Sequence, residues 1–596
     1  MNLNDDSFED LYYEDRETIE KRVKEGKSHR GRKKRKKRPP IPVIMLVVFA
    51  FLLVIIITWA STALSSFEGF GSSTAEADRN KLFGIDSDDE AGIILNDEYM
   101  EEQAFVMNGE PFLSFSFVKN NLNDWFYYDE NEKLLLYSTP EQTFEWGLDK
   151  GDVTEKDGEA YLSLELVKAY TDMESSGLLD DPAHIILKTE WGTETRAIID
   201  KNCPVRLSDS KKSEIITNLS EGDDVKVLEA NNVWSRVQTP DGFLGYVENK
   251  RLKDFSEEET ESPGLVEELQ YNSVHYDQKI IMGWHQMVYQ GGNDGLSDFL
   301  VKDKTMNVIS PTWYSLTDTE GGISDLSSSD YVQTAHEARV MVWPAVDNFN
   351  TAGFDATKGT FELLSHTSKR KKLIENIVLS ILSVGADGIN IDFENLSGET
   401  GEHFAQFLKE LSIASKANGL VLSVDNYVPK EYSKHYHREV QGKVCDFVVI
   451  MGYDEHNAGS TKAGPVASID FVREGIEETL REVDASKVIN GLPFFSRLWQ
   501  EKNGTVVESQ ALGMAEAKKA LSDHGATASW DDASGCNYGE YESGGARYRI
   551  WLEDADSVNA KLNLMKVQGL AGAAFWKLGL EESGIWDLIS TYALGE

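Results

Sequence analysis

The stretch DGINIDFENL, residues 387–396, decides how the C-terminal half of this chain is read. It sets Asn390, Asp392 and Glu394 at every second position, between Ile389, Ile391 and Phe393. In extended chain, alternate side chains share a face and stand ~6.6 Å apart. The three polar groups and Gly388 therefore line one face, and the apolar groups line the other. An amphipathic strand with a wetted polar side satisfies that pattern on its own. The flanks argue against it. Leu373, Ile377, Leu379 and Ile381 before the stretch, and Phe404, Phe407, Leu408 and Leu411 after it, recur at helical spacing. Helix, strand, helix marks a parallel sheet covered on both faces, so the polar side chains point into protein.

Seven further apolar runs carry the same reading outward: KIIMGWHQM, MNVISPTWYSL, RVMVWPAVDNF, LVLSVDNYV, CDFVVIMGYD, VINGLPFFSRLW and GLAGAAFWKLG. Eight strands alternating with helices over 271–596 predict an α/β fold, a (β/α)8 TIM barrel carrying insertions. An open doubly wound sheet is the competitor, and it lacks its Gly-rich phosphate turn after an early strand. A barrel opens its active site at the C-terminal ends of its strands. Asn390, Asp392 and Glu394 then climb toward that mouth with Glu394 highest. Enclosed neighbouring carboxylates resist double ionisation, and a retained proton makes Glu394 a candidate general acid.

The wording DGINIDFE resembles the strand-four signature D-G-x-D-x-D-x-E of glycoside hydrolase family 18, the chitinases and related N-acetylglucosaminidases. Asp387, Gly388, Asp392 and Glu394 match it, and Asn390 replaces an Asp. MGYD, 451–454, resembles the family's M-x-Y-D element on strand six, and Trp576 in GAAFWKLG sits at its strand-eight tryptophan. GINIDFENL, SPTWY and GLPFFSRLW resemble the branch of spore-cortex and germination hydrolases, which act on peptidoglycan. The resemblance implies substrate-assisted hydrolysis of a β-linked N-acetylglucosaminyl bond with net retention, an exception to the two-carboxylate scheme. In that scheme Glu394 protonates the glycosidic oxygen and later activates water, Asp392 orients the acetamido group, and Tyr453 donates to its oxygen. Asn390 and Asp387 support the acid pair, while Met451, Asp454, Trp576 and Arg497 contact sugar. An amide at 390 hydrogen-bonds but does not ionise, which weakens the charge array. The ~6.6 Å spacing of Asp392 and Glu394 also fits an inverting pair. However, neighbours on one strand approach the sugar from one side, which favours a nucleophile from the substrate. Trp284, Trp313 and Trp343 are candidates for a sugar cleft or for core. No cofactor is implied, and the histidines and the three scattered cysteines lack a metal-ligand spacing.

The remaining chain reads as a delivery system. Its formal charge is −42, yet the first 40 residues carry 13 Lys and Arg against nine Asp and Glu. So acidic a body excludes nucleic acid as a partner. Residues 41–64 hold no charge, long enough for a single transmembrane helix, and the basic tail 1–40 keeps the N-terminus cytoplasmic. A linker is expected at 65–96. An α+β stalk at 97–199 repeats itself, GEPFLSFSFVK (109–119) being echoed by GEAYLSLELVK (158–168); the pair resembles the stalk module of copper amine oxidases and bacterial surface proteins. Short strands and turns at 200–254, with Trp234 and GYV at 245–247, resemble a bacterial SH3-like domain that binds wall material or spaces its neighbours. The acidic run SEEETESPG places a second linker at 255–270. A membrane-anchored wall hydrolase and a non-catalytic glycan-binding wall protein both fit this layout, as does a chitinase.

Overall fold

The computed structural model describes residues 71–595 apart from 149–150, 265, 267–268 and 303–304. The transmembrane span expected at 41–64 and the basic tail before it lie outside these residues. Among the described residues no helix is long and apolar enough to cross a membrane. The chain divides into two compact units, one running to Leu122 and including Lys156–Val266, the other formed by Asn123–Glu155 and Glu267–Glu596.

In the first unit the two sequence repeats pair with each other. Strands Glu110–Ser114 and Glu159–Ser163 run antiparallel, with Phe112 opposite Ser163 and Ser114 opposite Tyr161. Each feeds a seven-residue helix, Phe115–Asn121 or Leu164–Tyr170, capped by the side chain of Ser114 or Ser163. A serine oxygen accepting from the third amide satisfies one orphan donor of a helix start, which is why the repeated LS sits where it does. The SH3-like region is a seven-stranded sheet around Ala197, Ile199, Val205, Val225, Val237 and Val247. Both expected linkers are shorter than the sequence indicated. Arg79–Phe83 is helical, and Glu90–Leu95 pairs in parallel with His184–Lys188. The acidic run after Leu252 continues a strand to Thr260 along Gly192–Ile199, with Arg196 3.7 Å from Glu258. Acidic composition concealed the strand Leu252–Thr260 because most of its side chains stay in water.

In the second unit, eight parallel strands close on themselves: β1 (Ile280–His285), β2 (Val308–Leu316), β3 (Ala345–Asp347), β4 (Gly388–Asp392), β5 (Val421–Tyr427), β6 (Phe447–Met451), β7 (Val488–Pro493) and β8 (Gly572–Trp576). β1 pairs with both β2 and β8, which completes the barrel. Outward-facing Ile389, Ile391 and Phe393 are at most 1% exposed. Phe393 lies nearly parallel to Phe407 with ring centroids 5.6 Å apart. Phe407 belongs to α2 (Gly401–Ala417), and Leu373, Ile377 and Ile381 line the buried face of α1 (Thr367–Val384). Leu379, expected on that face, is 57% exposed; two residues after Ile377 it has rotated about 200° around the helix. A Cβ on Gly388 would stand 2.8 Å from Trp343 Cδ1 and from the Val421 carbonyl, so only glycine opens β4.

Two additions decorate the barrel. After β7 the chain forms a five-stranded antiparallel sheet that begins at Phe495–Lys502. The other addition corrects the stalk boundary: the strands Tyr127–Asp129, Leu134–Ser138 and Thr143–Gly147, expected inside 97–199, form a three-stranded sheet of the barrel unit. Buried Asp129 accepts from both the amide and hydroxyl of Thr367 at 2.6 Å, capping α1 from 238 residues away. Arg370, fully buried, pairs with Glu410 of α2 at 3.0 Å and donates to Tyr127. Charge held dry in this way demands partners on every donor.

Candidate active site

The C-terminal end of β4 is where the barrel concentrates acid. Asp347, Asp392 and Asp425 come from β3, β4 and β5, and Asp347 pairs in register with Asp392. Asn390 pairs with Ser423, which makes Asp425 the next lateral neighbour of Asp392. Exposures are 2% for Asp347, 8% for Asp392, 7% for Glu394 and 2% for Asp425.

Glu394, one residue beyond Phe393, is held by backbone as well as by side chain. Asn348 Oδ1 accepts from its amide at 2.8 Å, and Asn348 Nδ2 donates to its carbonyl at 2.9 Å. The Tyr427 hydroxyl donates to Glu394 Oε2 at 2.5 Å. Burial pushes the Glu394 carboxyl up to about 7; the Tyr427 hydrogen bond opposes the shift, and Asp454 and Asp347 add to it. Burial, followed by Glu394, Asp425 and Asp347, drives Asp392 well above the ordinary carboxylate range. A carboxyl that keeps its proton near neutrality and regains one easily suits acid and base work in turn.

Asn390 is fully engaged. Its oxygen accepts from Trp284 Nε1 at 3.1 Å and from the Ser310 hydroxyl at 3.2 Å. Its amide nitrogen donates to the Ser423 hydroxyl at 3.1 Å and to Asp425 Oδ1 at 2.8 Å. Trp284 meets Tyr453 and Trp576 edge to face, with centroids 6.4 and 5.9 Å apart. A Cβ on Gly491 would come within 3.2 Å of the Tyr453 ring and 3.3 Å of Trp284, so the small residue on β7 makes room for both. Burial raises the Tyr453 hydroxyl well above its usual range, as do Asp392, Asp425, Asp454 and Glu394 around it. The phenol thus stays a donor.

The structure brings Glu394, Asp392, Asn390, Tyr453, Asp454 and Trp576 together; Met451 ends β6 two residues before Tyr453. It does not bring Asp387 to them. Asp387 precedes β4 at the opposite end of the barrel, where its carboxylate accepts from the Val342 amide at 2.7 Å and pairs with His336 at 2.8 Å. Arg497 lies beyond β7 in the added sheet, is 2% exposed, and donates to Ser509. Trp313 and Trp343 are core: Trp313 donates to Asn293, and Trp343 stacks on Phe447. Asp347, Asn348, Asp425 and Tyr427 went unread in the sequence. For β5 the signal was present, since Ser423, Asp425 and Tyr427 alternate in LVLSVDNYV as the acids do in β4.

A closed barrel with a buried acid pair at the mouth of β4 defines a glycosidase-like site, and comparison with known proteins places it in a family. Residues 330–581 match the model for glycosyl hydrolases family 18, and residues 202–253 match the bacterial SH3 domain. The C-terminal domain is a family 18 glycosyl hydrolase domain, and an SH3 domain precedes it. Over 257 residues the chain is 30% identical to the cortical fragment-lytic enzyme of Bacillus subtilis (strain 168), covering 41% of this chain and 58% of that protein. It is 25% identical over 312 residues to the uncharacterized glycosylase YvbX of the same organism, covering 50% and 89%. Chitinase 1 of Aphanocladium album is 26% identical over 266 residues, covering 38% and 60%. The chain thus spans about three fifths of the length of the fragment-lytic enzyme and the chitinase.

Proposed function

We propose that the C-terminal domain hydrolyses β-linked N-acetylglucosaminyl bonds with retention, the substrate's acetamido oxygen acting as nucleophile. The observation that carries this reading is Glu394, buried at the mouth of β4 and held by Tyr427 and Asn348, where burial pushes its carboxyl up to about 7. Glu394 gives its proton to the glycosidic oxygen. Asp392 orients the acetamido N–H, Tyr453 donates to the acetamido oxygen, and Trp576 supports the sugar. Glu394, now ionised, takes a proton from the water that opens the cyclic intermediate, and the cycle closes.

Peptidoglycan is the proposed polymer, supported by the wording of β4 and by the similarity to a cortical fragment-lytic enzyme; chitin oligomers are the second substrate class, supported by the similarity to a chitinase. The proposed setting is the outer face of a bacterial membrane. There the uncharged span 41–64 anchors the chain, and the SH3 domain and stalk hold the barrel toward the wall. The test incubates the full chain, in detergent, with purified peptidoglycan and with chitin oligomers. New reducing ends with the wild type and none with Glu394→Gln support hydrolysis. Binding to either glycan without new ends would instead identify a non-catalytic wall protein.

A further inference from the structure

One acid in the barrel has no part in the reaction just described, and its surroundings say what it does. Asp425 lies on β5 beside Asp392, the pairing of Asn390 with Ser423 and Ile391 with Val424 setting the two acids side by side. Neighbouring strands are about 4.8 Å apart. Asp425 Oδ1 is occupied by the Asn390 amide at 2.8 Å. Asp425 Oδ2 and Asp392 Oδ1 are both buried, and neither meets a hydrogen-bond donor. Asp347, the third acid of the row, is different. Its oxygens accept from the amides of Phe349 and Asn350, from the Ser315 hydroxyl and from Asn350 Nδ2, as a stable carboxylate requires.

Two buried acceptor oxygens on adjacent carboxyl groups, each without a donor, are costly as a pair of anions. A single proton between them removes the fault, since one carboxyl then supplies the O–H that the other accepts. We propose that Asp425 is the proton-sharing partner of Asp392, the pair holding one proton and one negative charge and so fixing the carboxyl that faces the substrate. This rests on the function proposed above. Asn390 belongs to the same device. Its amide donates to Asp425 Oδ1 while its oxygen is held by Trp284 and Ser310, so Asp425 is left with its other oxygen for Asp392. The groups acting on the pair are Asp347 from β3, Asn390 from β4, Glu394 just beyond it, and Trp284 from β1. Ser423 and Tyr427 share β5 with Asp425, and Tyr453 and Asp454 follow β6. Burial pushes Asp425 up to about 8; the Asn390 and Trp284 hydrogen bonds oppose the shift, and Glu394 adds to it. Asp425 touches no substrate in this account and is a positioning residue.

The test has two arms, both on the full chain in detergent. In a Glu394→Gln background, which removes the other proton held near neutrality, infrared spectra count protonated buried carboxyls at pH 7. Adding Asp425→Asn is expected to remove one protonated-carboxyl band, and an unchanged band would overturn the proposal. With Glu394 present, Asp425→Asn is expected to lower kcat by about 100-fold, the cost of a misplaced reacting group, with little change in KM. The exchange N390D/D425N, which moves the second carboxyl onto β4, is expected to restore most of that loss; an exchange no better than Asp425→Asn would contradict proton sharing. Normal kcat for Asp425→Asn beside an inactive Glu394→Gln would sink this inference and leave the proposed function standing. A wild-type chain inactive on every glycan would do the reverse, and the infrared arm would still decide the pair.

Discussion

Replacing Tyr427 with Phe removes one atom from the site and makes a signed prediction. The hydroxyl donates to Glu394 Oε2 at 2.5 Å and is the main influence holding the Glu394 carboxyl down against burial. A hydrogen bond to a charged group contributes about 1.5–3 kcal/mol. At 1.36 kcal/mol per pH unit, its loss raises the acid by about one to two units. Glu394 starts at about 7. The bond stabilises the ionised form, so without it the proton is kept to higher pH and the alkaline limb of kcat/KM moves upward. The assay is kcat/KM against pH on a fluorogenic N,N′-diacetylchitobioside, each profile scaled to its own maximum. On that scale Tyr427→Phe should exceed the wild type about tenfold on the alkaline side. A limb that stays in place, or moves toward acid, would refute the assignment of Glu394 as the group that must be protonated.

The same acid predicts a pH-dependent stability. Its folded-state value is about 7 against 4.5 unperturbed, so between those values the native state holds more protons than the unfolded chain and stability falls as pH rises. Glu394→Gln should therefore stabilise the barrel unit by on the order of 3 kcal/mol at pH 8 and by almost nothing at pH 4; equal effects at both pH values in calorimetry would contradict a buried proton. Asp129→Ala should leave the Thr367 amide and hydroxyl without an acceptor, cost about 3 kcal/mol, and expose 123–155 to limited proteolysis. An unchanged cleavage pattern would argue against the capping role. Arg370→Met leaves Glu410 buried without its cation and should cost about 3–5 kcal/mol in thermal unfolding.

The sequence was most legible where a single period governs a whole element. Eight apolar runs became eight barrel strands, because a covered parallel strand must be apolar on at least one face throughout. The alternation at Asn390, Asp392 and Glu394 located the acids, since a two-residue period admits one arrangement of faces. The end of β7 was not legible, because GLPFFSRLW stays apolar through Pro493 and on into the strand Phe495–Lys502, where Arg497 lies. Asp387 shares the motif of Glu394 but stands seven residues before it, more than ~20 Å along an extended chain. It therefore serves the opposite rim. The docking of 123–155 left no trace, because Asp129 and Thr367 meet only through the tertiary fold. Asp425 alternated in plain view, but an acid's partner is set by its lateral neighbour, which one strand's sequence does not contain.

The central claim is that the carboxyl at position 394 delivers the proton that breaks the glycosidic bond. Turnover of defined muropeptides and chitin oligomers by the wild type and Glu394→Gln, followed by mass spectrometry of the products, addresses it most directly. The account predicts cleavage beside N-acetylglucosamine by the wild type and at least a 100-fold loss in the variant, with its circular dichroism unchanged. Turnover by Glu394→Gln at the wild-type rate would contradict it.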